Sequence, residues 1–286
     1  MAPFQFSIVI VTYNNIDTIK ECLSSLSVSL GRADAELFLI DNASRDGTAE
    51  WLQFIGMPSF SHTVFTANAR NLGFTRAVNM GLSQCRGEAI LLLNPDVILE
   101  ADTLSILRRN LESEPDIGAV APKLLYPDGR MQPSCRRFPN KLHLALDLFG
   151  SGSRWRMSDF DHDHSRDVDQ PQGAFLLVRR EVVRRVGLLD ESFPMFFSDV
   201  DWCRRIRRDG WRIRFCAGAR AVHAKGASVR QRRAAMIVSS HRSFIRYFEK
   251  YDRGRRDRLG TSLLHLALLI LLPLRILHAR FCVQKP

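Results

Sequence analysis

Three polar segments near the start of the chain each follow an apolar run: Thr12-Tyr13-Asn14, Asp41-Asn42 and Asn94-Pro95-Asp96. An Asp at the carboxyl end of a central strand lies where open α/β sheets bind their ligands. Its carboxylate suits a divalent cation, because Mg²⁺ typically takes one or two carboxylates together with substrate phosphates. Taken alone, Asp96 is equally consistent with a turn residue. A second Asp at another strand end favours a nucleotide site.

Another pair of carboxylates, Asp199 and Asp201, is predicted to lie at the start of a helix. The helix dipole stabilises negative charge there, so capping of the helix is one explanation. The functional explanation is a general base. Such a base takes the proton of an attacking hydroxyl group as its oxygen reacts.

The elements that position these residues follow from the hydrophobic pattern. Short apolar runs predict strands, and apolar residues at helical spacing predict the helices between them. The predicted strands are 6–11, 36–40, 63–66, 90–93, 117–123, 172–178 and 211–215, and the predicted helices start near 17, 48, 74, 101, 179 and 199. This alternation indicates βαβ units and an α/β fold with a mostly parallel sheet. The carboxyl ends of parallel strands face one edge, so we expect the three polar segments to share a crevice.

Composition and missing motifs narrow the function. A net charge of +11 favours a polyanionic partner, such as a phosphorylated substrate or an anionic lipid. Nucleic acid is disfavoured, because the basic residues lack interleaved aromatic side chains. No Gly-rich dinucleotide fingerprint and no P-loop is present. The six cysteines stand singly and the chain enters a strand almost at once, so we expect reduced thiols and no signal peptide.

Four segments resemble, in this order, the motifs of family 2 glycosyltransferases, and of their bacterial rhamnosyltransferase-like branch in particular. They are Ile8-Val9-Ile10-Val11-Thr12-Tyr13-Asn14, Leu39-Ile40-Asp41-Asn42-Ala43-Ser44-Arg45-Asp46-Gly47-Thr48, Asn71-Leu72-Gly73-Phe74 and Leu93-Asn94-Pro95-Asp96. The resemblance runs from about residue 6 to about residue 228. It implies the GT-A fold, a mostly parallel central sheet flanked by helices.

The resemblance also implies roles for individual residues. The nucleotide sugar is expected to contact the following residues: Thr12, Tyr13, Asn14, Asp41, Asn71, Gly73, Asn94 and Asp96. Asp96 and His223 are expected to hold Mg²⁺ or Mn²⁺, and Asp199 is expected to be the base, with Asp201 as the alternative. Two positions depart from the family pattern, since Asn94 replaces an Asp and Ser198 replaces a Glu.

The middle of the chain adds further candidates. Gln132, Gly173 and Ala174 are expected near the transferred sugar or the acceptor, because the small residues permit close approach. The segment Asp161-His162-Asp163-His164 resembles a metal site, but its charge and lack of apolar period predict a mobile surface loop over 159–169. A short apolar helix is predicted over 142–149.

The C-terminal part, residues 229–286, is predicted to be a basic helical extension of a catalytic domain that spans residues 1–228. Its apolar run, 263–277, is flanked by arginines and is shorter than the roughly 20 apolar residues that span a bilayer. Leucines between arginines favour a helix that lies on an anionic membrane surface. The alternative is a helix docked on the catalytic domain or on a partner in a homodimer.

Together these observations predict an inverting, metal-dependent glycosyltransferase. It would take a nucleotide-diphospho-sugar donor and a lipid-linked or cell-surface glycan acceptor. We expect a cytoplasmic protein that binds peripherally to the inner face of the cell membrane. Two other functions remain open: a sugar-phosphate nucleotidyltransferase, whose Gly-rich basic loop is missing here, and a non-catalytic scaffold that binds nucleotide sugars.

Overall fold

The computed structural model describes residues 4–54, 60, 62–141, 160–224 and 233–281. The strands are β1 (Phe6–Thr12), β2 (Ala35–Asp41), β3 (His62–Ala67), β4 (Ala89–Leu93), β5 (Val97–Leu99), β6 (Ile117–Leu125), β7 (Cys135–Arg136), β8 (Arg166–Asp167), β9 (Gln170–Pro171), β10 (Phe175–Arg179) and β11 (Arg212–His223). The helices are α1 (Ile16–Leu30), α2 (Thr48–Phe54), α3 (Phe74–Leu82), α4 (Thr103–Ser113), α5 (Arg180–Val186), α6 (Ser198–Arg208), α7 (Arg233–Tyr251) and α8 (Arg255–Phe281).

One large sheet forms the centre of the molecule, with the strand order β3-β2-β1-β4-β10-β6-β11-β5. β3, β2, β1 and β4 are parallel, β11 is parallel to β6, and β10 runs antiparallel between β4 and β6. Apolar side chains of α1 and α4 pack on one face, and those of α3, α5 and α6 pack on the other. Burial on both faces explains why the sequences of β1 and β4 are nearly continuous apolar runs. The predicted α/β fold, with a mostly parallel sheet between helices, is confirmed.

The carboxyl ends of three parallel strands meet at one edge, as predicted. Thr12 at the end of β1 pairs with Asp41 at the end of β2, and Ile10 pairs with Leu93 at the end of β4. The antiparallel strand β10 begins at the same edge, because its first residue, Phe175, also pairs with Leu93. The sheet therefore places the start of β10 beside the three polar segments.

Two segments differ from the sequence-based expectation. The predicted strand 211–215 is the first part of β11, which continues to His223 across a register shift between Cys216 and Arg220. The segment 160–169, predicted as a mobile surface loop, is anchored to the sheet. Phe160 and His162 are buried against the ring of Phe215, and β8 pairs with β11. Apolar contact with β11 fixes this segment, although Asp161, Asp163 and His164 remain exposed.

The C-terminal helices pack on the rest of the molecule. Phe244, Ile245 and Phe248 of α7 share one buried cluster with Phe197 and Val200, at the start of α6. Leu264 and Leu268 of α8 belong to the same cluster. The predicted helix 142–149 and the predicted boundary between residues 228 and 229 lie outside the described residues. Within the described part of the chain, no helix combines the length and the hydropathy needed to cross a bilayer.

Candidate active site

Asp41 organises the loop that follows β2. Its buried carboxylate accepts hydrogen bonds from the hydroxyl of Thr12 (2.8 Å), from the backbone N–H of Ser44 (2.9 Å) and from the hydroxyl of Ser44 (2.5 Å). Hydrogen bonds to an ionised group are stronger than those between neutral groups. The carboxylate therefore fixes the ends of β1 and β2 relative to each other.

The loop after β1 is fastened to the loop after β2. The N–H of Asn14 donates to the hydroxyl of Ser44, and the N–H of Arg45 donates to the side-chain oxygen of Asn14, each at 2.8 Å. Asn14 has a φ of 55°, in the left-handed region that Asn tolerates better than most residues. Tyr13 is half-buried. These contacts give the predicted nucleoside-binding residues of both loops a defined geometry.

Asn42 is a site residue to which the sequence analysis assigned no role. Its buried amide donates to the side-chain oxygen of Asn71 (3.0 Å) and accepts from the N–H of Leu72 (2.9 Å). The same Asn71 oxygen accepts from the N–H of Gly73, whose φ of 85° suits glycine. Asn42 thus connects the end of β2 to the turn before α3. The feature of the sequence that could have identified Asn42 is its position next to Asp41.

Asp96 and His223 approach each other at the same edge of the sheet. Asp96 lies in the turn between β4 and β5, and His223 is the last residue of β11, where it pairs with Val97. The Nε2 atom of His223 lies 3.5 Å from Oδ1 of Asp96. Both side chains are largely buried, at 3% and 11% exposed. The structure therefore brings together the two residues predicted to hold a metal.

Gln132 lies behind His223. Its amide nitrogen donates to the backbone oxygen of His223 (3.3 Å), so its amide oxygen faces Nδ1 of the imidazole at 2.7 Å. An amide oxygen only accepts, which places a proton on Nδ1, so that in the neutral imidazole the lone pair of Nε2 faces Asp96. Gln132 was expected near the sugar or the acceptor. The structure places its side chain fully buried against the imidazole of His223.

The residues present fit a divalent cation. Oδ1 of Asp96 is buried without a hydrogen-bond partner, and it faces the lone pair of the His223 imidazole. A buried oxygen that lacks a hydrogen-bond partner and faces a second acceptor lowers the stability of the fold, unless a cation or a proton lies between the two atoms. Carboxylate and imidazole are ligands that Mn²⁺ accepts, and phosphate oxygens and water would complete the shell.

The backbone beneath this pair is fixed on both sides. The N–H of Asn94 donates to the carbonyl of Ala174 (2.9 Å), and the thiol of Cys22 approaches the carbonyl of Asn94 (3.6 Å). Burial and, to a smaller extent, the negative charge of Asp96 raise the pKa of Cys22 to about 12. Cys22 therefore stays a neutral thiol and adds no charge to the site.

Asp199 lies half-buried in the first turn of α6, next to the start of β10. Its carboxylate accepts from the N–H of Gly173 (3.0 Å) and from the N–H of Val200 (2.9 Å). A Cβ atom at position 173 would lie 2.8 Å from Cβ of Asp199, closer than real contacts allow. Gly173 and Ala174 therefore act through the backbone: one contacts Asp199 and the other contacts Asn94.

Asp201, the alternative base, has no exposed surface. Its carboxylate pairs with Arg205 (2.8 Å) and with Lys250 (2.6 Å), and it accepts a hydrogen bond from the hydroxyl of Tyr251 (2.7 Å). A substrate could reach it only by displacing these partners. Asp201 is therefore less suited than Asp199 to act as the base, because α7 covers it and its partners occupy both carboxylate oxygens.

A family model described as "Glycosyl transferase family 2" matches residues 7–186. The chain belongs to this family. The glycosyltransferase is 28% identical over 255 residues to the N-acetylglucosaminyl-diphospho-decaprenol L-rhamnosyltransferase of Mycobacterium tuberculosis. That alignment covers 82% of this chain and 81% of the relative. The family assignment confirms that the protein is an enzyme of the glycosyltransferase class.

Solved structures of glycosyltransferases share the fold. The mannosyltransferase PcManGT of Pyrobaculum calidifontis, in complex with GDP-Man and Mn²⁺, aligns with a TM-score of 0.59 at 19% identity, over 100% of this glycosyltransferase and 77% of that chain. GalNAc-T7 with UDP, GalNAc and Mn²⁺ aligns with a TM-score of 0.58 at 15% identity, over 77% of this chain and 43% of that one. These alignments confirm the GT-A fold.

Proposed function

We propose that this glycosyltransferase moves a sugar from a nucleoside-diphosphate sugar to a hydroxyl group of a lipid-linked glycan, with inversion at the anomeric carbon. The observation that carries the proposal is the pair formed by Asp96 and His223. An orphaned carboxylate oxygen and an imidazole lone pair face each other 3.5 Å apart at the ligand-binding edge of the sheet. This pair suits a divalent cation that also binds a diphosphate.

The donor is proposed to lie across the ends of β1, β2 and β4. The loops of Thr12-Tyr13-Asn14 and Asp41 hold the nucleoside, with Asn71 and Gly73 at its border and Asn94 at the diphosphate. Mg²⁺ or Mn²⁺, held by Asp96 and His223, would offset the charge that develops on the departing nucleoside diphosphate. The imidazole orientation set by Gln132 supports this role for His223.

Asp199 is proposed as the general base. Its carboxylate is half-buried, and two backbone N–H groups hold it at the edge where the donor is proposed to bind. The acceptor hydroxyl gives its proton to Asp199 as its oxygen attacks the anomeric carbon. The bond from that carbon to the diphosphate breaks on the opposite side, and this displacement inverts the configuration. No covalent intermediate with the protein is needed.

The similarity to the mycobacterial rhamnosyltransferase supports rhamnose as the sugar and a polyprenyl-diphosphate glycan as the acceptor. Such an acceptor places the enzyme at a membrane, and the exposed aliphatic residues of α8 offer a surface for one: Leu259, Leu263, Leu266, Leu269 and Ile270. We place the protein on the cytoplasmic face of this membrane, bound peripherally.

The first test is release of nucleoside diphosphate from dTDP-, UDP- and GDP-sugars. Each donor is supplied with and without Mn²⁺ or Mg²⁺, and with and without polyprenyl-diphosphate N-acetylglucosamine. We expect one donor to react only with metal and acceptor, and the product to carry the inverted linkage. Asp96→Ala and Asp199→Asn should both abolish transfer, and Asp199→Asn should retain donor binding.

Two results would contradict the proposal. Donor binding without turnover, with every acceptor tried, would favour the non-catalytic scaffold. Turnover that Asp199→Asn leaves unchanged would show that another group takes the proton.

A further inference from the structure

The C-terminal helix α7 reaches the first turn of α6, the turn that contains Asp199. The ring of Phe244 lies 4.4 Å from the ring of Phe197, the residue immediately before α6. Phe197 is buried and has a φ of 71°, in the left-handed region. Bulky residues avoid this conformation, and it persists only where surrounding contacts enforce it. Phe244 supplies one such contact and thereby holds the direction in which α6 begins.

A second contact between α7 and α6 lies two residues after the proposed base. Asp201 is fully buried, and two residues at the end of α7 approach its Oδ1 atom: Lys250 at 2.6 Å and Tyr251 at 2.7 Å. Arg205 pairs with the other oxygen and also donates to the carbonyls of Val186 and Leu188. A buried charge requires such partners, so the end of α7 and the first turn of α6 are held together.

Asp199 lies between these two contacts. Its side chain accepts one N–H hydrogen bond from Val200 within the same turn and one from Gly173, before β10, and the bond from Gly173 holds only if the first turn of α6 keeps its position. The backbone N–H of Asp201 also donates to the carbonyl of Phe197 (2.8 Å), which closes this turn. Any movement of Phe197 or Asp201 therefore moves Asp199 relative to the start of β10.

We propose that Tyr251 and Lys250 are positioning residues for the reaction: they act through the buried carboxylate of Asp201 and keep Asp199 at the acceptor side of the site. This inference rests on the proposed function of Asp199 as the base. It makes α7 part of the catalytic unit rather than a separate extension. Burial and the neighbouring Asp201 raise the pKa of Tyr251, so its hydroxyl stays protonated and donates.

The chain offers a matched control for this inference. Tyr247 lies one turn before Tyr251 on α7, and its hydroxyl accepts a hydrogen bond from Arg204 at 2.7 Å. Tyr247→Phe and Tyr251→Phe each remove one phenol hydroxyl from the same helix. Only the second removes a hydrogen bond to Asp201. A difference between the two variants therefore reports on Asp201 and not on loss of a buried hydroxyl in general.

The experiment measures kinetics and backbone hydrogen exchange on the full chain. For Tyr251→Phe we expect kcat to fall about tenfold, as one hydrogen bond to a charged group is lost, with the KM for the donor unchanged. The amide hydrogen of Gly173 should exchange faster, because it donates to Asp199 from outside α6. Tyr247→Phe should keep the kcat and the exchange rates of the wild type. A thermal melt of each variant checks that it is folded.

The outcomes separate this inference from the proposed function. Equal loss of kcat in both variants, or unchanged exchange at Gly173 in Tyr251→Phe, would overturn it. If the wild type transfers no sugar from any donor, the proposed function fails, and hydrogen exchange alone decides whether α7 holds Asp199. Faster exchange restricted to Tyr251→Phe would then still support the contact with Asp201.

Discussion

The orientation of a single imidazole is the most specific residue-level feature of the site. Gln132 holds Nδ1 of His223 and thereby directs Nε2 towards Asp96. Removal of a hydrogen-bond partner behind a metal-binding His typically lowers metal affinity about 10- to 100-fold. We therefore expect Gln132→Leu to weaken Mn²⁺ binding by about this factor. Titration of the protein with Mn²⁺ in the presence of nucleoside diphosphate, followed by electron paramagnetic resonance, measures the affinity directly.

Gln170→Leu is the matched control for this substitution. Gln170 is another buried glutamine, but its amide donates to the carbonyl of Arg137 and not to His223. It should leave Mn²⁺ affinity at the wild-type value. An equal loss in both variants would show that the effect comes from general disturbance of the core and not from the imidazole.

Gly173 is a second position where one atom decides the geometry. A Cβ atom there would lie 2.8 Å from Cβ of Asp199, so Gly173→Ala must push the proposed base away. Displacement of a reacting group by about 1 Å costs up to about 100-fold in rate. We expect Gly173→Ala to lower kcat about 10- to 100-fold and to leave donor binding intact, as measured by the transfer assay and by calorimetry with the donor.

Gly218→Ala provides the comparison for Gly173→Ala. Gly218 lies in β11 with open space around its Cα atom, and its φ is outside the left-handed region. This variant should transfer sugar at the wild-type rate. Wild-type kcat in Gly173→Ala would mean that Asp199 does not need its present position.

The sequence alone placed several candidate residues at one edge of the sheet but did not predict the contacts between them. Asp41 and Asp96 could be placed at the ligand edge because strand ends follow from apolar runs and parallel strands share an edge. The burial of Asp201 could not be predicted, because its partners Lys250 and Tyr251 come from a distant helix. The contact of Gln132 with His223 could not be predicted either, because it depends on where β11 ends.

At the level of elements, α7 contacts the loop before α6 through the ion pair of Lys250 with Asp190. The stability that this ion pair contributes depends on pH. Burial works against ionisation of Asp190, but hydrogen bonds from Lys250 and Ser192 outweigh it and lower the pKa of its carboxyl to about 2. A lowered pKa stabilises the fold above the unfolded value of about 3.9, and this stabilisation is lost as the pH falls from about 4 to about 2. Asp190→Asn should therefore destabilise the protein at pH 6 more than at pH 3.

Thermal melts at the two pH values test this prediction. Glu21→Gln, an exposed substitution on α1, serves as the control and should shift the melting temperature little at either pH. An equal loss of melting temperature at pH 6 and pH 3 in Asp190→Asn would show that the ion pair with Lys250 does not stabilise the fold.

The helices and the parallel strands were predictable because their apolar periods differ and turn residues separate them. Two features of the sheet were not. β10 reverses direction between β4 and β6, and no local pattern encodes strand direction. β11 crosses a register shift near Gly218, and the small residues there, Ala217, Gly218 and Ala219, interrupted the pattern of large apolar residues and hid the continuation to His223.

At the scale of the whole molecule, α8 presents two different faces. Leu264 and Leu268 are buried in the cluster shared with α7, whereas Leu259, Leu263 and Ile270 are 60–63% exposed. Exposed arginines lie at the start of the same helix: Arg253, Arg255, Arg256 and Arg258. An apolar face beside positive charge suits the interface of an anionic membrane. We propose that this face rests on the membrane that carries the acceptor.

Leu263→Glu tests the membrane face. Burial of one leucine is worth roughly 2 kcal/mol, so we expect at least about tenfold weaker binding to vesicles that contain phosphatidylglycerol. Val28→Glu is the control, because Val28 is equally exposed on α1 and the substitution changes the charge by the same amount. Co-sedimentation with vesicles measures both variants. Equal binding by Leu263→Glu and the wild type would show that this face of α8 does not contact the membrane.

The contact between Asp201 and the end of α7 also has a consequence for biosynthesis. The ribosome adds residues from the N-terminus at about 5–20 per second, and N-terminal parts of a chain generally fold first. All residues of the sheet and of α6 are therefore synthesised before Lys250 and Tyr251. Until then, Asp201 lacks two of its partners and Phe197 lacks its contact with Phe244. The nascent chain can thus form its donor loops early and acquire its acceptor side only after the last turn of α7 emerges.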